Sequence, residues 1–171
     1  TSRNAGSKDS DVKRKAGIAL VAALILAAAA IPSYHLTITG EAGERLWTVP
    51  IDPGTAVTLA YENSIYRAPT EELLTVTAAG FTLRRVRSTS EAVLAYNGLE
   101  APYTRDGTWY VASTSKALSV LIVRIGRTGR QHLIVAGRAV PLYEAGEGAR
   151  VRVEVERAPR AVAALRAWAL R

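Results

Sequence analysis

Between residues 36 and 156 the chain is divided into short runs in which apolar and polar residues alternate. The clearest run is Val151-Arg152-Val153-Glu154-Val155-Glu156, and Gly, Pro or Asp lies between most of the runs. Successive side chains of a β-strand point to opposite faces, so each run predicts a strand with one buried face. The predicted strands cover residues 36–39, 46–50, 57–61, 73–77, 81–87, 109–111, 118–125, 132–135 and 151–156. No helix-length crossover separates them. We therefore predict an all-β fold, a mainly antiparallel β-sandwich or barrel-like domain over residues 35–157.

An uncharged apolar segment precedes this domain. It begins at Ala16 after the basic cluster Lys13-Arg14-Lys15, and as a helix its residues 16–34 would extend about 28 Å, enough to span a bilayer. We predict a transmembrane helix that acts as a signal anchor at 16–34, with residues 1–15 in the cytoplasm and the β-domain exported. The expected location is the cell membrane, single-pass. Two other interpretations stay open: a cleaved signal peptide, since Ala28 and Ala30 fit a cleavage site, and a buried helix, which would normally show a polar face.

The last fourteen residues, 158–171, predict a short basic helix. Pro159 suits the first turn of a helix, and four apolar side chains fall on one face, namely Val162, Leu165, Trp168 and Ala169. The segment could lie on an anionic membrane, cap the β-domain, or be a frayed tail.

The position of the positive charge favours a membrane neighbour. The net charge is +7, of which +3 lies in residues 1–16 and +3 in 158–171, leaving +1 for the rest. A nucleic-acid-binding domain would carry its basic charge on the folded body. We therefore expect membrane lipid as a partner and no nucleic acid.

Few residue types suited to catalysis or metal binding are present. There is no Cys, which excludes disulfides, thiolate metal ligands and a cysteine nucleophile. The two histidines, His35 and His132, are isolated, and neither lies near a nucleophile motif such as G-x-S-x-G. We predict no catalytic residue, no metal and no cofactor, so the chain is not expected to be an enzyme.

The most unusual segment is the polar block at residues 61–72, which we interpret as one turn region between two strands. A plain hairpin would need only Gly, Asn or Asp there. Its groups could order the turn, through hydrogen bonds and an ion pair among Tyr61, Ser64, Arg67 and Glu71, or form a surface for a partner or ligand. Adjacent Glu71 and Glu72 would point to opposite faces of an extended chain, so they are not a catalytic dyad. The candidate surface comprises Tyr61, Asn63, Ser64, Arg67, Pro69, Glu71 and Glu72. Nearby, three arginines are expected to form a solvated face or to protect a sheet edge rather than to bind an anion: Arg84, Arg85 and Arg87.

The same block resembles the signature of the DUF1850 family of small exported proteins, which runs Tyr-x-His-Ser-Val-x-x-Thr-Pro-Val-x-Glu. The matching positions are Tyr61, Ser64, Pro69 and Glu72, with Ile65 in place of Val. Asn63 stands where the family has His, and Ala68 where it has Thr.

This resemblance implies an association with transport. Such proteins tend to be encoded beside TRAP-type transporters that use a TAXI-type solute receptor, an association and not a mechanism. The expected function is a membrane-anchored, extracytoplasmic, non-enzymatic accessory subunit that contacts the TRAP-type permease or the TAXI receptor. The alternative is a stand-alone surface module that binds a ligand or a protein.

Overall fold

A computed structural model describes residue 15 and residues 17–21 and 27–159. Eleven strands, one short α-helix and one 3-10 helix follow the helical residues 27–30. The strands are β1 (Pro32–Thr39), β2 (Arg45–Ile51), β3 (Ala56–Asn63), β4 (Ala68–Thr77), β5 (Gly80–Ser88), β6 (Thr104–Asp106), β7 (Trp109–Leu118), β8 (Leu121–Arg124), β9 (His132–Val135), β10 (Arg138–Pro141) and β11 (Arg150–Pro159). The α-helix α1 covers Glu91–Tyr96, and the 3-10 helix covers Leu142–Ala145.

The strands form two antiparallel sheets that enclose one main core. The four-stranded sheet has the order β2-β1-β11-β8, and the seven-stranded sheet has the order β10-β9-β3-β4-β5-β7-β6. Apolar residues from both sheets are fully or almost fully buried between them, including Leu36, Ile38 and Val153 from the first and Val57, Leu74, Phe81 and Leu133 from the second. The prediction of a mainly antiparallel, sandwich-like all-β domain is confirmed.

A second, smaller core lies beside β5 and β7 of the seven-stranded sheet. There α1 covers the sheet, and Leu94 of the helix packs with Val86 and Ala112 of β5 and β7. The sequence did not predict α1, because six residues are too few to show a 3.6-residue hydrophobic period.

The two ends of the β-domain are paired with each other. Pro32 of β1 lies opposite Pro159 of β11, and the Ser33 hydroxyl donates to the Ala158 carbonyl oxygen at 3.3 Å. The predicted boundaries are therefore wrong by a few residues: 32–34 belong to a strand and not to the anchor, and 158–159 belong to β11 and not to the terminal helix. These residues form strand because pairing satisfies their backbone hydrogen-bonding groups. The strands therefore continue beyond the residues in which apolar and polar side chains alternate.

Several predictions lie outside the described residues. They are the cytoplasmic segment up to residue 14, part of the anchor (16 and 22–26) and residues 160–171 of the C-terminal helix. Within the part of the chain that the structure describes, no helix combines the length and the apolar character needed to cross a bilayer.

One further prediction about the strands is wrong. Residues 118–125 are not one strand, because β7 ends at Leu118 in the larger sheet and β8 begins at Leu121 in the smaller one. Of the two interpretations for Arg84 and Arg85, the solvated face agrees with the structure and edge protection does not, since β5 lies between β4 and β7. A bulge between residues 83 and 85 lets two consecutive arginines both face solvent.

The polar block and a long loop meet at one end of the sandwich, which we call the distal end. The chain enters β1 and leaves β11 at the other end, at Pro32 and Pro159. At the distal end Arg150 pairs with Arg124, and the loop 125–131 follows directly. The turn after Asn63 lies beside this loop, since the Glu62 N–H donates to the Gly129 carbonyl oxygen at 2.9 Å. Eight residues of β1 separate the two ends, a distance of about 25 Å.

Candidate functional site

The polar block contains a turn of only four residues, 64–67, between β3 and β4. The side-chain oxygen of Asn63 accepts hydrogen bonds from the backbone N–H groups of Ile65 and Tyr66, both at 3.0 Å. The Arg67 N–H donates to the Asn63 carbonyl oxygen at 2.8 Å, and Arg67 has a positive φ of 52°. Asn63 therefore shapes the turn. The prediction of one long turn region at 61–72 is wrong for residues 61–63 and 68–72, which belong to β3 and β4.

Tyr61 and Glu72 meet on the core-facing side of the larger sheet. The Tyr61 hydroxyl donates to Glu72 Oε1 at 3.0 Å, and the Tyr61 ring packs against the main core. Burial raises the pKa of the Glu72 carboxyl, an effect that Tyr61 and Lys116 oppose. Burial and the neighbouring Glu72 carboxylate also raise the pKa of Tyr61, and the Asn97 side chain at the end of α1 opposes that shift. This pair is a half-buried, hydrogen-bonded element on the inner face of the sheet.

Glu71 lies on the opposite face, as the sequence predicted. Its carboxylate forms an ion pair with the Arg87 guanidinium at 2.7 Å. The Arg87 guanidinium also stacks over the Trp109 ring, 4.7 Å from its centroid. The ion pair and the stacking together fix Glu71 and Arg87 on the outer face of the sheet.

The predicted hydrogen-bonded group of Tyr61, Ser64, Arg67 and Glu71 does not form. Tyr61 bonds to Glu72, whereas Arg67 forms an ion pair with Glu62 at 2.9 Å and Glu71 with Arg87. The seven candidate residues thus divide into three sets: Tyr61 and Glu72 on the inner face, Pro69 and Glu71 on the outer face, and Asn63, Ser64 and Arg67 at the turn.

The turn and the end of α1 together present three large apolar side chains to solvent, which we call the apolar tip: Ile65, Tyr66 and Tyr96. They are 58%, 42% and 61% exposed. The rings of Tyr66 and Tyr96 contact edge to face, with centroids 6.2 Å apart, so α1 and the turn contribute to one patch. The sequence indicated the turn but not this patch, because Tyr96 joins it only through the packing of α1.

Beside the tip is a recess of about 350 Å³, which we call the end cleft, between the turn and the loop 125–131. Its polar side chains include those of Glu62, Ser64, Arg124 and Gln131. Gln131 is only 8% exposed, and its Nε2 donates to the Arg124 carbonyl oxygen at 3.4 Å. Its Oε1 has no hydrogen-bond partner among the described residues. No sequence pattern pointed to Gln131, since its neighbouring glycines indicated only a turn.

A second, smaller groove of about 230 Å³ lies on the outer face of the sheet. Pro69, Glu71, Trp109 and His132 line it. The His132 ring contacts Tyr143 edge to face at 6.2 Å. Over the described ranges, no cluster of three or more His, Asp or Glu side chains could hold a metal ion.

Comparisons with protein-family models, curated proteins and solved structures find no match for this chain. The resemblance to the DUF1850 family therefore stays a prediction.

Proposed function

We propose that this chain is a non-enzymatic, membrane-anchored accessory subunit of a TRAP/TAXI-type solute transporter, and that its extracytoplasmic β-domain binds the permease or the receptor through the apolar tip. The observation that carries the binding part of the proposal is the exposure of Ile65, Tyr66 and Tyr96 side by side. The identity of the partner rests on the sequence resemblance alone.

The composition of the tip suits a protein contact. Tyrosine combines a large apolar ring with a hydroxyl, and it is enriched among the residues that dominate binding energy at interfaces. Adjacent exposed apolar side chains of this size commonly mark interaction sites. The Asn63 side chain holds the turn in one conformation, which lowers the entropic cost of binding.

The position of the tip suits an anchored subunit. An anchor that ends before Pro32 would join the end of the sandwich that holds this residue, and the tip is at the distal end. The tip would then stand about 25 Å from the point where the chain leaves the anchor. A partner in the same membrane would meet it at a high effective concentration, so a weak contact would suffice.

Two of the three carboxylates of the polar block, those of Glu71 and Glu72, support a binding role over catalysis. Glu71 is held by Arg87 on the outer face, and Glu72 accepts a hydrogen bond from Tyr61 on the core side. A general base needs a carboxylate within reach of a substrate proton, and both of these groups are engaged in contacts within the protein.

The test is affinity purification of the C-terminally tagged full chain from its native membrane in detergent, followed by mass spectrometry. We expect near-stoichiometric recovery of a large permease or a solute receptor. The variant Ile65→Ser/Tyr66→Ser should reduce recovery by at least about tenfold, the effect of losing roughly 1.4 kcal/mol at a hot spot.

Ile122→Ser is the matched control. Ile122 is 52% exposed on β8 of the smaller sheet, whereas Ile65 and Tyr66 lie in a turn of the larger one, so its loss should leave recovery unchanged. Recovery of the chain alone, while known membrane complexes stay intact, would refute the proposal. Equal recovery with the tip variant would refute the tip as the interface.

The end cleft favours a second candidate function, a stand-alone ligand-binding module. It is concave, and polar residues from the turn and from the loop 125–131 line it, among them Glu62, Ser64 and Gln131. A ligand that binds only the folded state would raise the melting temperature.

A further inference from the structure

We propose that the groove on the outer face of the larger sheet, which we call the outer groove, binds a neutral pyranose ring, from a free sugar or from a glycan. The ring lies against Trp109 and directs hydroxyls to the carboxylates of Glu62 and Glu71. This inference goes beyond the transporter contact and does not depend on it, because none of the side chains of the apolar tip lines this groove.

The groove exists because a small residue lies between larger ones on this face of the sheet. Ala60 of β3 lies opposite His132 of β9 on one side and Glu71 of β4 on the other. The strand order β9-β3-β4-β5-β7 places residues 128–130 on one side of the resulting recess and Trp109 on the other. Its volume, about 230 Å³, lies just below the usual range of drug-sized sites, about 300–1,000 Å³. The groove therefore suits a ligand with a single ring.

Two carboxylates that line the groove each have an open oxygen. Arg87 donates twice to Oε2 of Glu71, from Nε at 2.8 Å and from Nη2 at 2.7 Å, and Arg67 Nε lies 2.9 Å from Oε1 of Glu62. Within the part of the chain that the structure describes, Oε1 of Glu71 and Oε2 of Glu62 have no partner, and neither is among the fully buried unpartnered atoms. The Glu71 and Glu62 side chains are 23% and 37% exposed, so a hydroxyl donor can reach both.

Trp109 supplies a flat apolar surface beside these acceptors. The Arg87 guanidinium stacks over the ring, 4.7 Å from its centroid, so a ligand contacts the remaining exposed part of the indole, which lines the groove. Because the same guanidinium binds Glu71, the ring and this carboxylate are held in one relative position. A pyranose has C–H groups on its faces and hydroxyls around its rim. One face therefore packs on the indole while the rim hydroxyls donate to the carboxylates.

The charges around the groove favour a ligand without net charge. Each of the two glutamates already has an arginine partner. Arg130, which also lines the groove, is exposed and forms no ion pair with any residue that the structure describes. A cation would approach three guanidinium groups, those of Arg67, Arg87 and Arg130, and an anion would approach two open carboxylate oxygens. A hydroxyl donates to a carboxylate without adding a charge.

The test is saturation-transfer difference NMR on the full chain, in a detergent whose head group is not a sugar. The neutral probes are the methyl glycosides of glucose and galactose, with cellobiose and lactose as short glycans that contain the same rings. The comparison probes are glycerol, which has hydroxyls but no ring, cationic glucosamine and anionic glucuronate. We expect transfer to at least one neutral glycoside, strongest at the C–H protons of one ring face, and none to the comparison probes. Equal affinity for a glycoside and its disaccharide would assign the groove to a single sugar, and tighter binding of the disaccharide would assign it to a glycan.

Variants then locate the bound ring. Trp109→Ala should weaken binding by about fivefold, because the stacking surface is lost, and Glu62→Gln by about tenfold, because a charged acceptor is lost. Trp109→Phe keeps a smaller ring in case Trp109→Ala does not fold, and it should bind more weakly than the wild type. Glu147→Gln is the matched control, since Glu147 is exposed, forms an ion pair with Arg127 and does not line the groove. It should leave the affinity unchanged.

Three outcomes would overturn the proposal. Binding of a neutral glycoside that neither Glu62→Gln nor the Trp109 variants weaken would place the sugar elsewhere on the molecule. Transfer to glycerol as strong as that to the glycosides, or transfer to a charged sugar alone, would exclude the ligand class. The absence of transfer to every glycoside and disaccharide would show that the groove holds only water.

Discussion

At the scale of the residue, two neighbouring glutamates have opposite surroundings. Glu71 is held on the outer face by Arg87, and Glu72 lies on the core side under the Tyr61 hydroxyl. The strand alternation was enough to predict that they diverge. Their partners could not be predicted, because Arg87 reaches Glu71 only through the register of β4 and β5. The burial of Gln131 could not be predicted either, because its carboxamide packs against Gly129 and bonds to Arg124 only in the folded loop.

The raised pKa of Glu72 should make stability depend on pH. The folded state holds the Glu72 proton more tightly than the unfolded chain does. The ordinary pKa of this carboxyl is 4.5, and folding raises it. The stability from this group is therefore complete below about pH 4.5 and is lost as the pH rises through the raised folded pKa. Glu72→Gln keeps an acceptor for Tyr61 but cannot ionise. The melting temperature of Glu72→Gln should therefore rise relative to that of the wild type as the pH increases from about 4 to about 8.

Thermal unfolding followed by circular dichroism across that pH range checks this expectation. Glu144→Gln, at an exposed carboxylate of the 3-10 helix, is the control and should give a flat difference. If the difference in melting temperature between Glu72→Gln and wild type does not change with pH, burial does not raise the pKa of Glu72.

At the scale of the element, hydrophobic alternation located the strands but not all their ends. Strand β4 begins at Ala68, five residues earlier than predicted, because Thr70, Glu71 and Glu72 are polar yet find partners across the sheet. Residues 118–125 look like one buried strand, although the chain changes sheets after Leu118. Cross-strand partners and sheet changes are tertiary facts, and a local pattern does not contain them.

Gly80 should be essential to the hairpin between β4 and β5. It has a φ of +135°, and a Cβ would collide with the Leu118 carbonyl oxygen on β7. Gly43 also has a positive φ, +82°, but no atom lies within 4 Å of an added Cβ. Gly43→Ala should therefore cost about 1 kcal/mol from backbone strain alone, and Gly80→Ala should cost about 1–3 kcal/mol more. Denaturant unfolding of both variants measures the difference, and equal free energies of unfolding would contradict the steric role of Gly80.

At the scale of the whole molecule, the first and last described strands pair at the centre of the smaller sheet. β1 and β11 are adjacent although more than a hundred residues separate them. The strand count and the antiparallel class could be predicted from the sequence. The strand order could not, since the alternation in β11 fits any partner strand with a buried face.

This central pairing predicts that β1 and β11 open together. In hydrogen exchange followed by mass spectrometry, both should exchange slowly, and the exposed edge strand β6 should exchange quickly. Ile38→Ala removes a fully buried side chain of β1 opposite Val153 and should destabilise the fold by about 2–5 kcal/mol. Exchange should then accelerate in β1 and β11 alike.

Ile122→Ala, at an exposed position on β8, should leave these exchange rates unchanged. Faster exchange in β1 alone, with β11 still protected, would show that the two strands do not form one cooperative unit.

The pairing of Pro32 with Pro159 also brings the two ends of the β-domain close together. Paired Cα atoms of an antiparallel ladder lie about 5 Å apart, so a short glycine linker would join the two ends. The exposed turn of the β4–β5 hairpin, at Ala78 and Ala79, then offers a place for new termini. Circular permutation succeeds at such exposed sites, and the sandwich therefore does not require its strands to be synthesised in their natural order.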